Sequence, residues 1–187
     1  MSTWGPEGPP DEAYSRVTRD LAAVTAEYDA WLDALPSRLV AGYRCHVRPT
    51  TPAEEARLGP VVSAYAVEPD DAACATLLVG RFAAGEHGET LAVLAFGEDR
   101  AQVIDCLCDA CDTDSAGLIE EGEQFLAAVL GGVREYRRLD GRLDHVRMRP
   151  WYRDGMEASS GLWESGRTRH ERGVLEYDHT WAAWPRR

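Results

Sequence analysis

Lysine and asparagine are both missing from this chain of 187 residues, and phenylalanine and methionine occur only three times each. With lysine gone, twenty arginines carry all the fixed positive charge against 32 aspartates and glutamates, a formal charge of −12. So acidic a chain repels a phosphate backbone and an anionic bilayer, which disfavours general nucleic-acid binding and membrane-surface attachment. Absent lysine and asparagine, with abundant Ala, Gly, Asp and Glu, fit a GC-rich coding bias. The all-arginine usage is therefore weak evidence for phosphate recognition, despite the suitability of the guanidinium for it.

No apolar run approaches the roughly 20 residues of a membrane span. The opening MSTWGPEGPP has neither a basic n-region nor an apolar h-region. Without an export signal, five cysteines read as reduced thiols rather than a disulfide framework. A cytoplasmic protein is the expectation. Motifs for common chemistry are missing too: no G-x-S-x-G, no phosphate loop, no G-x-G-x-x-G and no H-E-x-x-H. None of the five histidines (46, 87, 145, 170 and 179) stands at helical spacing from another. The carboxylate pairs Glu120/Glu121 and Asp70/Asp71 read as solvated faces. These absences lean away from an enzyme.

What is present predicts an α+β fold. Residues 1–10 are rich in Pro and Gly and read as a flexible N-terminus, leaving 11–187 as a single α+β domain. Tyr14, Val17, Leu21, Val24, Tyr28, Trp31 and Leu35 recur at alternating spacings of 3 and 4, one stripe of a helix that Pro36 is expected to end. Strands are expected at 43–48, 61–67, 74–82 and 90–96, with a hairpin turn in the GEHG segment. Residues 99–111 fit either a helical stripe or a short strand leading into a loop. A second helix is expected from about 114 to 138, acidic at its start and basic at its end as the helix dipole favours, with a break possible near Gly131. Strands at 143–149 and 174–181 complete an antiparallel sheet of about five or six strands packed against two main helices.

The segment Asp105-Cys106-Leu107-Cys108-Asp109-Ala110-Cys111-Asp112 holds three thiols within six residues. Cys106, Cys108 and Cys111 have the spacing to converge on one zinc ion, which wants a fourth ligand to complete a tetrahedron. Candidates are Cys45, Cys74, His46, His87, His145 or a local aspartate. The opposing reading makes them small, buried, inert residues. Redox use is disfavoured, because the nearby aspartates raise a thiol pKa. Residues 112–123 also match part of a calcium-binding EF-hand loop, with Asp112, Asp114, Gly117, Ile119 and Glu123 in register and Ala116 where a ligand is expected. An acidic helix N-terminus accounts for the same residues.

The C-terminal part concentrates four of the six tryptophans (151, 163, 181 and 184) among nine arginines. Trp and Arg are enriched in binding hot spots, which makes Trp181 and Trp184 candidate partner-binding residues. The competing reading gives the core its aromatics, and the sheet an edge strand, from this tail.

Three features together resemble an uncharacterised actinobacterial family of unknown function: Tyr14-Ser-Arg-Val-Thr18, the Cys106-x-Cys108-Asp109-x-Cys111-Asp112 loop before a helix, and the Trp184-Pro-Arg-Arg ending. The resemblance runs over most of the length. Many members carry Gly where this chain has Leu107. It implies no catalytic residues. The sequence thus points to a small non-enzymatic binding or accessory protein with a structural zinc at the cysteine loop. Two alternatives are an enzyme of unrecognised type, with a pocket between sheet and C-terminal tail, and an interaction module using the Trp/Arg-rich tail.

Overall fold

The computed structural model describes residues 8–83, 92–97, 100–103, 107–110, 113–140, 143–150 and 174–187. The N-terminal residues 1–7, the GEHG turn with His87, Cys106, Cys111, Asp112, His170 and the connector carrying Trp151 and Trp163 lie outside the described residues.

The chain folds as α+β with antiparallel sheets. A 3₁₀ turn at Asp11–Ser15 is followed by α1 (Leu21–Gly42), β1 (Cys45–Arg48), α2 (Pro52–Leu58), β2 (Ser63–Pro69) and β3 (Leu77–Arg81). Then come β4 (Ala92–Phe96), β5 (Arg100–Val103), α3 (Ser115–Gly131), β6 (Val133–Asp140), β7 (Leu143–Pro150) and β8 (Val174–Thr180). β1 to β5 form one sheet in sequence order, each strand antiparallel to the next. The last three strands do not extend it, as the sequence pattern had implied. They make a second sheet of order β7-β6-β8, in which β8 is an edge.

The central strands explain the layering. β3 (LLVGR) and β4 (AVLAF) are almost wholly buried, so both of their faces need cover. Leu77, Val79, Leu94 and Phe96 point into the main core with α1 and α3. Leu78, Val93 and Ala95 point the other way, onto Leu58 of α2 and Ala66. The alternation has a period of two, as a pleated strand requires.

α1 starts later and ends later than its stripe predicts. The Asp20 carboxylate accepts a hydrogen bond from the Ala23 amide and caps the helix there, so residues 11–15 form a separate turn. Pro36 lies inside α1 rather than at its end. An interior proline forgoes the bond to the carbonyl four residues back and costs about 3 kcal/mol. Leu32, Leu35 and Leu39, all nearly fully buried, contribute about 1.5–3 kcal/mol each, which is enough to carry the helix through it. α2 was not anticipated, although Thr51-Pro-Ala-Glu54 spells its start. Thr51 and Glu54 form a reciprocal capping box, with proline in the first turn.

α3 stops at Gly131, and residues 133–138, expected to continue it, form β6 instead. Gly132 makes the turn at φ +86°. A Cβ there would lie 2.9 Å from the Ala183 nitrogen and 3.0 Å from the Trp181 oxygen. The tail thus packs flush against this glycine, and Val133 and Trp181 exchange backbone hydrogen bonds beside it. Gly132→Ala should destabilise the fold by about 1–3 kcal/mol. Urea unfolding checks this, and an unchanged midpoint would contradict the account of the junction.

Candidate functional site

The segments before α1 and before α3 meet, and Asp109 joins them. Its carboxylate accepts from the Thr18 amide (2.9 Å), the Thr18 hydroxyl (3.1 Å) and Arg16 Nε (3.1 Å). Its own amide donates to the Arg16 carbonyl at 2.8 Å, and the Ala110 amide donates to that of Ala13. Arg19 finishes the seam, donating to the carbonyls of Thr113, Leu107 and Cys108. These hydrogen bonds, the Thr18 amide foremost, hold the Asp109 carboxyl below the usual aspartate range. Leu107, standing where a glycine would have allowed a tight turn, is 6% exposed and packs into the main core. It anchors the loop by burial, and Cys108 beside it is buried as well.

Both Asp109 oxygens thus accept from Thr18 and Arg16, which commits this carboxylate to the seam. Other candidates are also engaged. The Cys74 thiol donates to the Ala183 carbonyl at 3.3 Å. His46 is exposed, with its Nδ1 3.9 Å from Asp70. Burial raises the thiol pKa values of Cys45 and Cys74, so neither is poised as a nucleophile. His145 is described only as a backbone position in β7, opposite Arg138. Among the described residues no group of three or more His, Cys, Asp or Glu side chains is placed to hold a metal ion. Residues 115–123, most of the EF-hand match, are helical, and Asp114 caps that helix by accepting from the Gly117 amide. The acidic helix start therefore explains this motif.

The tail builds the second feature. After β8, Trp181 lies against the core, and Ala182 bridges to Cys74 and donates to the Ala73 carbonyl. Trp184 is 3% exposed, packs edge-on against Tyr43 and donates its indole N–H to the Ala75 carbonyl at 3.0 Å. Trp184 is thus a core aromatic rather than a surface one, and Pro185 receives the Arg44 amide.

Between this tail, α2 and the end of β2 lies a cleft of about 370 Å³ lined by Glu54, Arg57, Glu68, Asp70, Asp71, Cys74 and Trp181, among others. Arg48 neutralises two of its carboxylates, bridging Glu54 in a forked pair and also binding Glu68. Arg57 is turned to the Phe96 carbonyl. Asp70 and Asp71 are exposed and have no arginine partner among the described residues. Trp181 packs against His179 with ring centroids 4.0 Å apart and the planes tilted by 56°, and its buried indole N–H has no hydrogen-bond acceptor among the described residues. The pair Asp70/Asp71, read from sequence as a solvated face, is exposed at this cleft; Asp70 faces His46, and Asp71 accepts from the Ala73 amide. No local pattern marks the cleft, because its lining spans residues 54 to 181.

No described helix is long and apolar enough to cross a membrane. The fold and these two features define an acidic α+β protein with a strapped segment at 107–110 and a cleft walled by its tail. The chain belongs to the DUF6226 family, a family of unknown function whose model matches residues 1–187. No curated protein and no solved structure matches it.

Arg48, followed by the Thr51 backbone and hydroxyl, lowers the Glu54 pKa to about 2. A carboxyl lowered on folding stabilises fully above its unfolded value, near 4.5, and that contribution fades as the pH falls towards 2. Glu54→Gln should flatten the stability loss between pH 4.5 and 2 in chemical unfolding. Parallel pH profiles for the two proteins would refute this.

Proposed function

We propose that the chain is a non-enzymatic binding or accessory protein of the cytoplasm. In this reading it takes a cationic group of a partner into the acidic cleft, and the cysteine loop is a structural brace completed by zinc. One observation carries the binding part: Asp70 and Asp71, exposed and without an arginine partner among the described residues, line the same cleft as Trp181. Carboxylates and an indole face together suit a guanidinium or ammonium, through charge and cation–π attraction. The volume lies in the range of small-ligand sites. The raised Cys74 thiol, donating rather than accepting, supports binding over nucleophilic chemistry at the same place.

For the brace, support comes from the seam at Asp109, which fixes the backbone around Cys108. Zinc would be held by Cys106, Cys108 and Cys111 as thiolates. Its contribution there is folding energy, as in closed structural sites.

A tetra-arginine peptide should quench tryptophan fluorescence. Asp70→Asn with Asp71→Asn should weaken its binding about tenfold or more, and added salt should weaken it in the parent. Equal binding by parent and double variant would remove the cleft reading. Protein purified without an affinity tag should carry about one zinc per chain by elemental analysis, reduced to near zero by Cys108→Ser. Less than about 0.1 zinc per chain, with all five thiols titratable, would remove the metal reading.

A further inference from the structure

The cleft beside the tail holds charge of both signs, and the fold keeps the two signs apart. Arg57 lines it from α2, half-buried, with its Nη2 donating to the Phe96 carbonyl at 3.1 Å. That single bond fixes the guanidinium at the cleft and leaves most of its donors open. Arg57 has no carboxylate partner among the described residues. Glu54, one turn earlier on the same helix, is consumed by the forked pair with Arg48, which also takes Glu68. Glu55 accepts from the Thr50 hydroxyl instead. The remaining carboxylates of the lining, Asp70 and Asp71, lie at the far end of the cleft. β2 ends at Pro69, β3 begins at Leu77 and β4 ends at Phe96, all at one end of the sheet. The carbonyl that holds Arg57 is thus two strand spacings from β2, at least about 10 Å. Thr76 and Leu78 line the floor between the two poles.

From this separation of charge we propose that the cleft is a site for a zwitterion: a basic residue with a free α-carboxylate, its cationic end at Asp70 and Asp71 and its carboxylate on Arg57. The inference rests on the cation reading above and goes beyond it by assigning the opposite pole. A guanidinium matches a carboxylate through paired charge-assisted hydrogen bonds, so Arg57 suits that group better than a neutral amide. Arginine and lysine carry their cation at the end of a long stem, which suits poles held well apart. The same chemistry occurs in a free basic amino acid and in the last residue of a peptide.

Calorimetric titration of the full chain with tetra-arginine as the free acid and as the carboxy-terminal amide tests this. The amide carries the greater net positive charge, so a cleft that only attracts cations prefers it. A zwitterion site reverses the order, and the acid should bind about tenfold or more tighter. Arg57→Gln should abolish that preference, whereas Asp70→Asn with Asp71→Asn should weaken both forms. L-arginine against L-argininamide is the second arm. The same preference there assigns a free amino acid, and a preference confined to the peptide assigns a carboxy-terminus. Amide bound as tightly as acid by the parent overturns the inference and leaves the cation reading standing. A preference unchanged in Arg57→Gln overturns it too. A parent that binds neither peptide overturns both readings. The acid–amide comparison is made on the parent, so it decides the question even if Arg57→Gln does not fold.

Discussion

Water must be kept from both faces of β3 and β4, and most of the architecture follows from that constraint. Apart from Arg81 at the end of β3, strands of the composition LLVGR and AVLAF have no polar side chain to turn outward. Helices α1 and α3 therefore cover one face, and α2 with Ala66 covers the other. The two large helices must in turn fit each other closely. A Cβ at Gly122 would lie 2.5 Å from the Trp31 ring, and Trp31 donates to Glu123 one residue on. Trp184 then closes the rim of the main core. Each of these pieces is distant in sequence from the strands it protects.

The polar features sit where this cover is thinnest. Among the described residues of the cysteine loop, Leu107 enters the main core, Cys108 is buried beside it, and Asp109 collects the hydrogen bonds to the segment before α1. The cleft arises at the opposite kind of place, where the tail crosses the end of β2 and leaves a gap beside α2. In one case charge is consumed by fixed donors, Arg16 and Thr18. In the other, Asp70 and Asp71 remain exposed to solvent.

Much of the fold was legible in the residues. Tyr28 and Leu35 lie on the buried face of α1 that their spacing announces, and the strand segments at 63–69, 77–81, 92–96, 143–150 and 174–180 fall within a few residues of the expected ones. Errors came where one local signal outweighed another. The stripe through Tyr14 and Val17 concealed the Asp20 cap, Pro36 looked like a terminator although leucines bury on either side of it, and the helical pattern through Tyr136 concealed the turn at Gly132. The Thr51–Glu54 box was readable and overlooked. Sequence could not separate the eight strands into two sheets, since pairing of β6 with β8 is a matter of distant register. Nor could it join Thr18 to Asp109 or Asp71 to Trp181, each pair being far apart along the chain.

The position of Trp184 also bears on how such a molecule is made. Residues 21–133, which supply the rest of the main core, leave the ribosome well before this indole does, and chains begin to organise from the N-terminal side during synthesis. Until the tail arrives, the carbonyl of Ala75 waits without its indole donor, and the surface that Trp184 will cover faces solvent or a chaperone. The nascent body is thus held in an unsealed state for the time needed to translate some fifty further codons, and final closure is a late event rather than part of the initial collapse.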